Sequence, residues 1–196
     1  MTYYTFTLNA NGGTIPSGSS WTGSGSTATK KLASTGTFGT LPTPTKSGYK
    51  FNGWYTTMMS SGGTYVTNST TVSSVGTVRT LYARWEKVIK LTFESNGGTF
   101  IYQNDGEEST SFSLLGGWTL SDVERLQNEY SYNSTGFYID DAYDATREHY
   151  TFGGFSSSTN GTSDTFKTIS ASYLLNNYDS YTFYAVWIPV TYTISY

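Results

Sequence analysis

The chain has 196 residues, 11 basic and 14 acidic side chains, a formal net charge of −3 and no cysteine. The missing thiol excludes a disulfide framework and thiolate chemistry. The acidic total, with no basic stretch interleaved with aromatics, argues against a nucleic-acid partner. No apolar run approaches the roughly 18 residues of a membrane helix, so no membrane insertion is expected. Eighteen Tyr, eleven Phe, five Trp and 21 Gly among few charges suit pleated, half-buried surfaces joined by turns. The expected class is mainly β (α+β), and the composition fits a secreted surface protein; the lack of cysteine suits a Gram-positive exterior and a cytoplasm alike. Met1-Thr2 leads into a predicted strand without a signal sequence, so a fragment of a larger exported protein is expected, with signal and anchor outside it.

In the first predicted strand Phe6, Leu8 and Ala10 alternate with Thr5, Thr7 and Asn9, and Asn11-Gly12 follows as a turn. Tyr49 and Phe51 alternate until the Gly53-Trp54 step, which predicts a bulge. Leu81, Ala83 and Trp85 share one face of a later strand. The same series then returns in order. Phe6 to Thr14 recurs as Leu91 to Thr99, Gly48 to Tyr55 as His149 to Ser156, and Thr80 to Trp85 as Thr182 to Trp187. Ordered recurrence marks an internal duplication. The offset grows from 85 residues at Phe6/Leu91 to 102 at Thr80/Thr182, so the second copy holds about 17 extra residues. One helix is predicted, over Thr119 to Asn128, with Ser121 as N-cap and Glu124 closing a capping box.

The predicted organisation is residues 1–87 as the first repeat, 88–189 as the second with an insertion around 103–148, and 190–196 as the start of a third, from the likeness of Tyr192-Thr193-Ile194-Ser195-Tyr196 to the first strand. Copies of this length can each bury a core. The joint Glu86-Lys87-Val88-Ile89 is short and lacks a Gly/Ser tract, which predicts a stiff tandem and an elongated rod. An array of repeats points to spacing, display or adhesion rather than catalysis.

Pro42-Thr43-Pro44-Thr45-Lys46-Ser47-Gly48-Tyr49-Lys50-Phe51-Asn52-Gly53-Trp54-Tyr55, between a strand ending in Asn-Gly-Gly-Thr and the Thr-Leu-Tyr-Ala-Arg-Trp segment, resembles the Listeria-Bacteroides repeat, the module of internalin B-repeats. The resemblance implies two tandem β-grasp-like repeat domains, each with a first hairpin, a crossover and a last strand returning beside the first. The second copy departs from the pattern: it lacks Pro-x-Pro, His149 stands at the Gly48 position, and Phe155 replaces Trp54.

Candidate residues divide by setting. Phe51, Gly53, Trp54, Trp85, Phe152, Gly154 and Trp187 lie in the repeated motifs and are expected in the core, with Trp85 and Trp187 buried. Trp21 and Trp118 lie in unmatched segments among Ser, Thr and Gly, and are the candidates for exposed ligand contact. His149 reads as a turn residue, since no partner for a catalytic base accompanies it. Asp140, Asp141 and Asp144, with Glu148 beyond, match no ordered calcium loop and read as a solvated insertion loop. Lys-Asn crosslink reactants abound, but no motif selects a pair. Residues 1–87 carry seven basic groups and one acidic, net +6, and residues 88–196 four basic and thirteen acidic, net −9. That split reads as drift between diverged surfaces or as electrostatic complementarity.

No cofactor, no metal and no enzyme activity are expected, and the fragment is expected to be monomeric. Two functions fit: a stalk and adhesion segment whose partners are neighbouring repeats, host or matrix protein or a surface glycan, and a carbohydrate-binding module attached to an extracellular enzyme. The region from about Thr110 to Glu148 is the expected variable contact face.

Overall fold

The computed structural model describes residues 1–114 and 117–194, and the chain resolves into two units, Met1–Lys87 and Val88–Tyr196. Strands dominate both. In the first unit the alternation of apolar and hydroxyl side chains produces β1 (Tyr3–Asn9) and β2 (Thr27–Ala33), followed by β3 (Tyr49–Tyr55), β4 (Tyr65–Val66), a 3-10 turn (Val72–Val75) and β5 (Thr80–Lys87). They form one sheet in the order β2-β1-β5-β3-β4. β5 runs parallel to β1, with Leu8 opposite Leu81, and the other neighbours are antiparallel. This is a β-grasp-like order, with the last strand returning beside the first.

The period of two decides which face is buried. Phe6 and Leu8 of β1, Ala28 and Leu32 of β2, and Leu81 and Ala83 of β5 are buried, while Thr5, Thr27, Thr29 and Lys31 are exposed. The crossover from β2 to β3 contains no helix. Its Phe38 packs edge-on against Phe6 at 4.9 Å, and Ile15 and Trp21 join the same core. The bulge falls where expected: the pairing of β3 with β5 slips between Phe51 and Trp54, and Gly53 takes a φ of +105°.

The second unit contains β6 (Lys90–Glu94), β7 (Thr99–Tyr102), β8 (Glu108–Ser109), β9 (Ser111–Ser113), α1 (Leu120–Glu129), β10 (Ser131–Tyr132), β11 (Gly136–Ile139), β12 (Asp141–Thr146), β13 (Tyr150–Ser156), α2 (Ala171–Asn177) and β14 (Ser180–Pro189). Its four-stranded sheet, β13-β14-β6-β9, repeats the pairings of the first unit. β6 is parallel to β14, with Phe93 opposite Phe183, and the β13–β14 register slips between Phe152 and Phe155. No counterpart of the two-residue β4 follows β13 among the described residues.

The insertion corrects an expectation. It is an ordered second sheet, β10-β11-β12-β7-β8, rather than an exposed loop. Phe137 and Ile139 of β11, Ala145 of β12 and Phe100 of β7 are buried, and a segment that buries such residues gains enough to order itself. The sheet also starts upstream of residue 103, because β7 pairs with β12 through Thr99 and Thr146.

The helices correct two more. The N-cap of α1 is Thr119, not Ser121: its Oγ1 accepts from Asp122 N at 3.4 Å and its own N–H donates to Asp122 Oδ2 at 3.0 Å. The box closes at that position because Val123 and Leu126 then point into the core. The unpredicted α2 is capped by Ser170 and buries Ala171, Leu174 and Leu175. Val190 to Ile194 form no strand, and Ser195 and Tyr196 of the expected third copy lie outside the described residues. No helix among the described residues is long and apolar enough to cross a membrane.

Candidate functional site

The recurring residues of each copy converge on the turn after its first strand. Asn11 and Gly12 take φ of +48° and +84°, and Asn96 and Gly97 take +51° and +88°, so both turns use the left-handed region that Asn and Gly tolerate. Asn11 Nδ2 donates to Ala83 O at 3.1 Å and Asn96 Nδ2 to Ala185 O at 3.0 Å, tying each turn to its last long strand. The following glycine lies under an indole. A Cβ on Gly13 would stand 2.3 Å from Trp85 Cζ2 and 2.7 Å from Thr45 O, and one on Gly98 would stand 2.2 Å from Trp187 Cζ2 and 2.7 Å from Thr146 O. Each indole N–H then donates to the turn, Trp85 to Ala10 O at 2.9 Å and Trp187 to Ser95 O at 2.7 Å. The motif Asn-Gly-Gly-Thr is therefore a turn plus a slot for tryptophan. Gly13→Ala should cost the first unit about 1 to 3 kcal/mol, the usual overpacking range, read as a lower melting midpoint. An unchanged midpoint would show that the slot has room.

That geometry corrects the expected burial of Trp85 and Trp187: both are half-buried, because one part of each ring covers a glycine at the sheet margin. Trp54 is the buried one, 2 % exposed, with Nε1 donating to Pro42 O at 2.9 Å. Phe51 meets Trp54 at 5.6 Å and Trp85 at 5.5 Å, both edge-on. In the second copy Phe152 meets Phe155 at 5.2 Å and Trp187 at 5.7 Å in the same manner. Phe155 has no side-chain N–H to donate, and the second copy has no Pro-x-Pro segment before it. Gly53 and Gly154, with φ of +105° and +96°, open the bulge that turns Trp54 and Phe155 inward.

A cation also recurs at this turn, which motif reading missed. Lys46 Nζ lies 4.3 Å from the Tyr49 ring centre, and Arg147 Cζ lies 4.2 Å from that of Tyr150. The signal was visible by aligning Lys46-Ser-Gly-Tyr49 with Arg147-Glu-His-Tyr150. His149 is a turn residue with φ of +67°, where Gly48 has +75°, and its Nε2 lies 3.2 Å from Glu148 Oε1. Arg147 and Tyr150 line an open cleft of about 880 Å³ whose other wall is the Ser134-Thr135 loop.

The remaining candidates separate. Trp21, expected as an exposed contact, is 3 % exposed: it sits beneath the crossover and donates from Nε1 to Thr40 O at 3.2 Å. Trp118 is half-buried against the second core, with Nε1 donating to Leu114 O at 3.1 Å. Asp140 pairs with Arg125 at 3.3 Å, and Asp144 accepts from Gln103 Nε2 at 2.8 Å. Among the described residues no three His, Asp or Glu side chains converge as metal ligands would.

Burial holds the Asp164 carboxyl above its ordinary range, although Phe155 N and Phe166 N donate to it at 3.3 and 3.1 Å. Its folded pKa thus exceeds its unfolded one. Below the unfolded value both states hold the proton and the effect is nil. As pH rises through about 4 the unfolded state ionises first, and the second unit loses stability. Asp164→Asn should flatten that fall in melting midpoint relative to the parent chain. Parallel pH profiles would refute it.

Residues 4–84 match the Listeria-Bacteroides repeat domain family. Comparisons with curated proteins and with solved structures give no match. The matched span runs from β1 to β5 and takes in the Asn-Gly-Gly turn, the Pro42 crossover, the bulge and Trp54, and the second unit rebuilds the same strand pairings around its own turn. The first unit is therefore a Listeria-Bacteroides repeat domain over residues 4–84, and the second unit repeats its strand pairings.

Proposed function

We propose that the chain is a non-catalytic repeat segment of a bacterial cell-surface protein, exported and displayed as a stalk or spacer with an adhesive role. The observation that supports this is the duplication: one strand scheme is built twice, with β5 ending at Lys87 and β6 starting at Lys90. Repetition with a short joint adds reach without adding chemistry. Host or matrix protein and surface glycan are the proposed partners of a monomeric segment. The reading of a carbohydrate module on an extracellular enzyme is weakened by the burial of Trp21, one of its two aromatic candidates.

Small-angle scattering of the whole chain tests the spacer. A compact globule of this length would have a radius of gyration of about 16 Å, and a spacer should clearly exceed it. A value at the compact limit would sink the stalk reading. Retention on surfaces coated with matrix proteins tests adhesion, and turnover of a hydrolase substrate lost with His149→Ala or Asp141→Ala would overturn the non-catalytic reading.

A further inference from the structure

The cleft beside the Asn96-Gly97 turn has walls of different origin. Arg147, Tyr150 and Thr99 belong to the repeated motif, whereas Ser134 and Thr135 come from the loop between β10 and β11 of the inserted sheet. That loop is held in place from several sides. Asn133 Oδ1 accepts from Thr135 N at 2.9 Å, Thr135 Oγ1 at 2.9 Å and Gly136 N at 3.0 Å. Phe152 N donates to Ser134 O at 3.1 Å and Ala145 N to Thr135 O at 2.9 Å, so the wall is bonded to both sheets. A preformed wall loses little freedom when a ligand arrives.

The lining sets one guanidinium, Arg147, among the hydroxyls of Thr99, Ser134, Thr135, Thr146 and Thr151. The cation has been kept while its surroundings changed sign: Lys46 fills the position in a copy of net charge +6, Arg147 in one of −9. Part of that retention is structural, since Arg147 Nη1 donates to Asn96 O at 3.4 Å. In the copy with the cleft, however, the cation is an arginine. Its guanidinium lies over the Tyr150 ring, and a guanidinium presents a fork matched to a carboxylate.

We propose that this cleft binds a carboxylated saccharide, with the Arg147 guanidinium taking the carboxylate and the hydroxyl wall taking the ring hydroxyls. The proposal rests on the adhesion reading above and names its ligand class. A single cation, with the carboxylate of Glu148 also in the lining, opposes a polyphosphate or nucleic acid. A polar lining opposes an apolar guest. A uronic acid unit offers one charge and several hydroxyls, which is the ratio the cleft presents.

Calorimetric titration of the whole chain with a glucuronate oligosaccharide, its neutral glucose counterpart and acetate tests the assignment. The uronate should bind saturably at about millimolar concentration or below, with the neutral sugar and acetate each at least about tenfold weaker. Arg147→Gln should weaken uronate binding at least about tenfold and Thr135→Val several-fold, while Lys46→Gln in the other copy leaves it unchanged. Melting curves check that each variant is folded. If Arg147→Gln is not, Arg147→Lys, which keeps the charge and loses the fork, should show the loss. No uronate binding at about 10 mM, equal binding of the neutral sugar or acetate, or full binding by a folded Arg147 variant overturns the proposal. Retention on matrix-coated surfaces without uronate binding removes the cleft assignment alone, and uronate binding without retention removes the adhesion reading.

Discussion

Trp54→Ala should destabilise the first unit by about 3 to 5 kcal/mol, the range for truncating a large buried aromatic. The ring is the largest fully buried side chain of that unit, packed edge-on against Phe51 and bonded to Pro42 O. Truncation removes the packing and leaves a carbonyl of the crossover without its partner, which adds a cost of its own. A small domain is stable by only about 5 to 15 kcal/mol, so the loss is a large share. It corresponds to a fall in melting midpoint of roughly 12 to 40 °C for a unit of this size. The second unit has its own hydrophobic cluster and should melt where it did before. Trp54→Phe reproduces the residue of the second copy and separates the effects: it keeps most of the packing and loses only the N–H, so its cost should be near 1 to 2 kcal/mol. A Trp54→Ala chain that melts within a few degrees of the parent would show that this aromatic does not hold the crossover to the sheet.

Much of this fold was legible because the local signals are strong and occur twice. Alternation in Phe6-Thr7-Leu8 and Leu91-Thr92-Phe93 marks strands with one buried face, and the Asn-Gly pairs mark turns that only left-handed residues make comfortably. Gly53 betrayed the bulge because a glycine between aromatics in a strand has little use other than a bend. The inserted sheet was hidden for a physical reason. Its strands are short, β8 and β10 having two residues each, and β7 is separated in sequence from its partner β12, so no local pattern announces the pairing. Only Phe137 and Ile139, two apart, hinted at a buried face.

The candidate site was less legible. Trp21 and Trp118 were singled out by composition, since Ser, Thr and Gly neighbours suggest a wet surface, yet each ring packs on the core of its own unit and donates its indole N–H to a backbone carbonyl. The cation at Lys46 and Arg147 went unread because it gains meaning only from what stands beside it in space: a turn some 35 residues upstream of Lys46 and some 50 upstream of Arg147, and the ring of the tyrosine that follows. The cleft needs the inserted loop as well, so one repeat motif could not have announced it.

Phe93→Ala should cost the second unit as much as Trp54→Ala costs the first, and should loosen two sheets at once. In the first copy the fully buried pair of this strand is Phe6 then Leu8; in the second the order is Leu91 then Phe93. The exchange moves the large ring along the strand to the place where the insertion must be held. Phe93 stacks on Phe112 at 4.9 Å and on Phe183 at 5.7 Å, and meets Phe155 and Phe166 edge-on at 4.8 and 5.2 Å. Phe112 in turn stacks on Phe137 at 5.7 Å and on Tyr143 at 4.7 Å, both from the inserted sheet. The truncation is expected to cost about 3 to 5 kcal/mol, with each lost ring pair contributing beyond simple burial. Phe93→Leu, which restores the residue of the first copy, should cost less because it leaves a smaller cavity. Hydrogen exchange gives the decisive reading: amides of β11 and β12 should lose protection together with those of β6 and β14, while β1 and β5 keep theirs. Loss confined to β6 and β14 would mean that the inserted sheet is held by its own pairing, and that the relocated ring does not join it to the repeat.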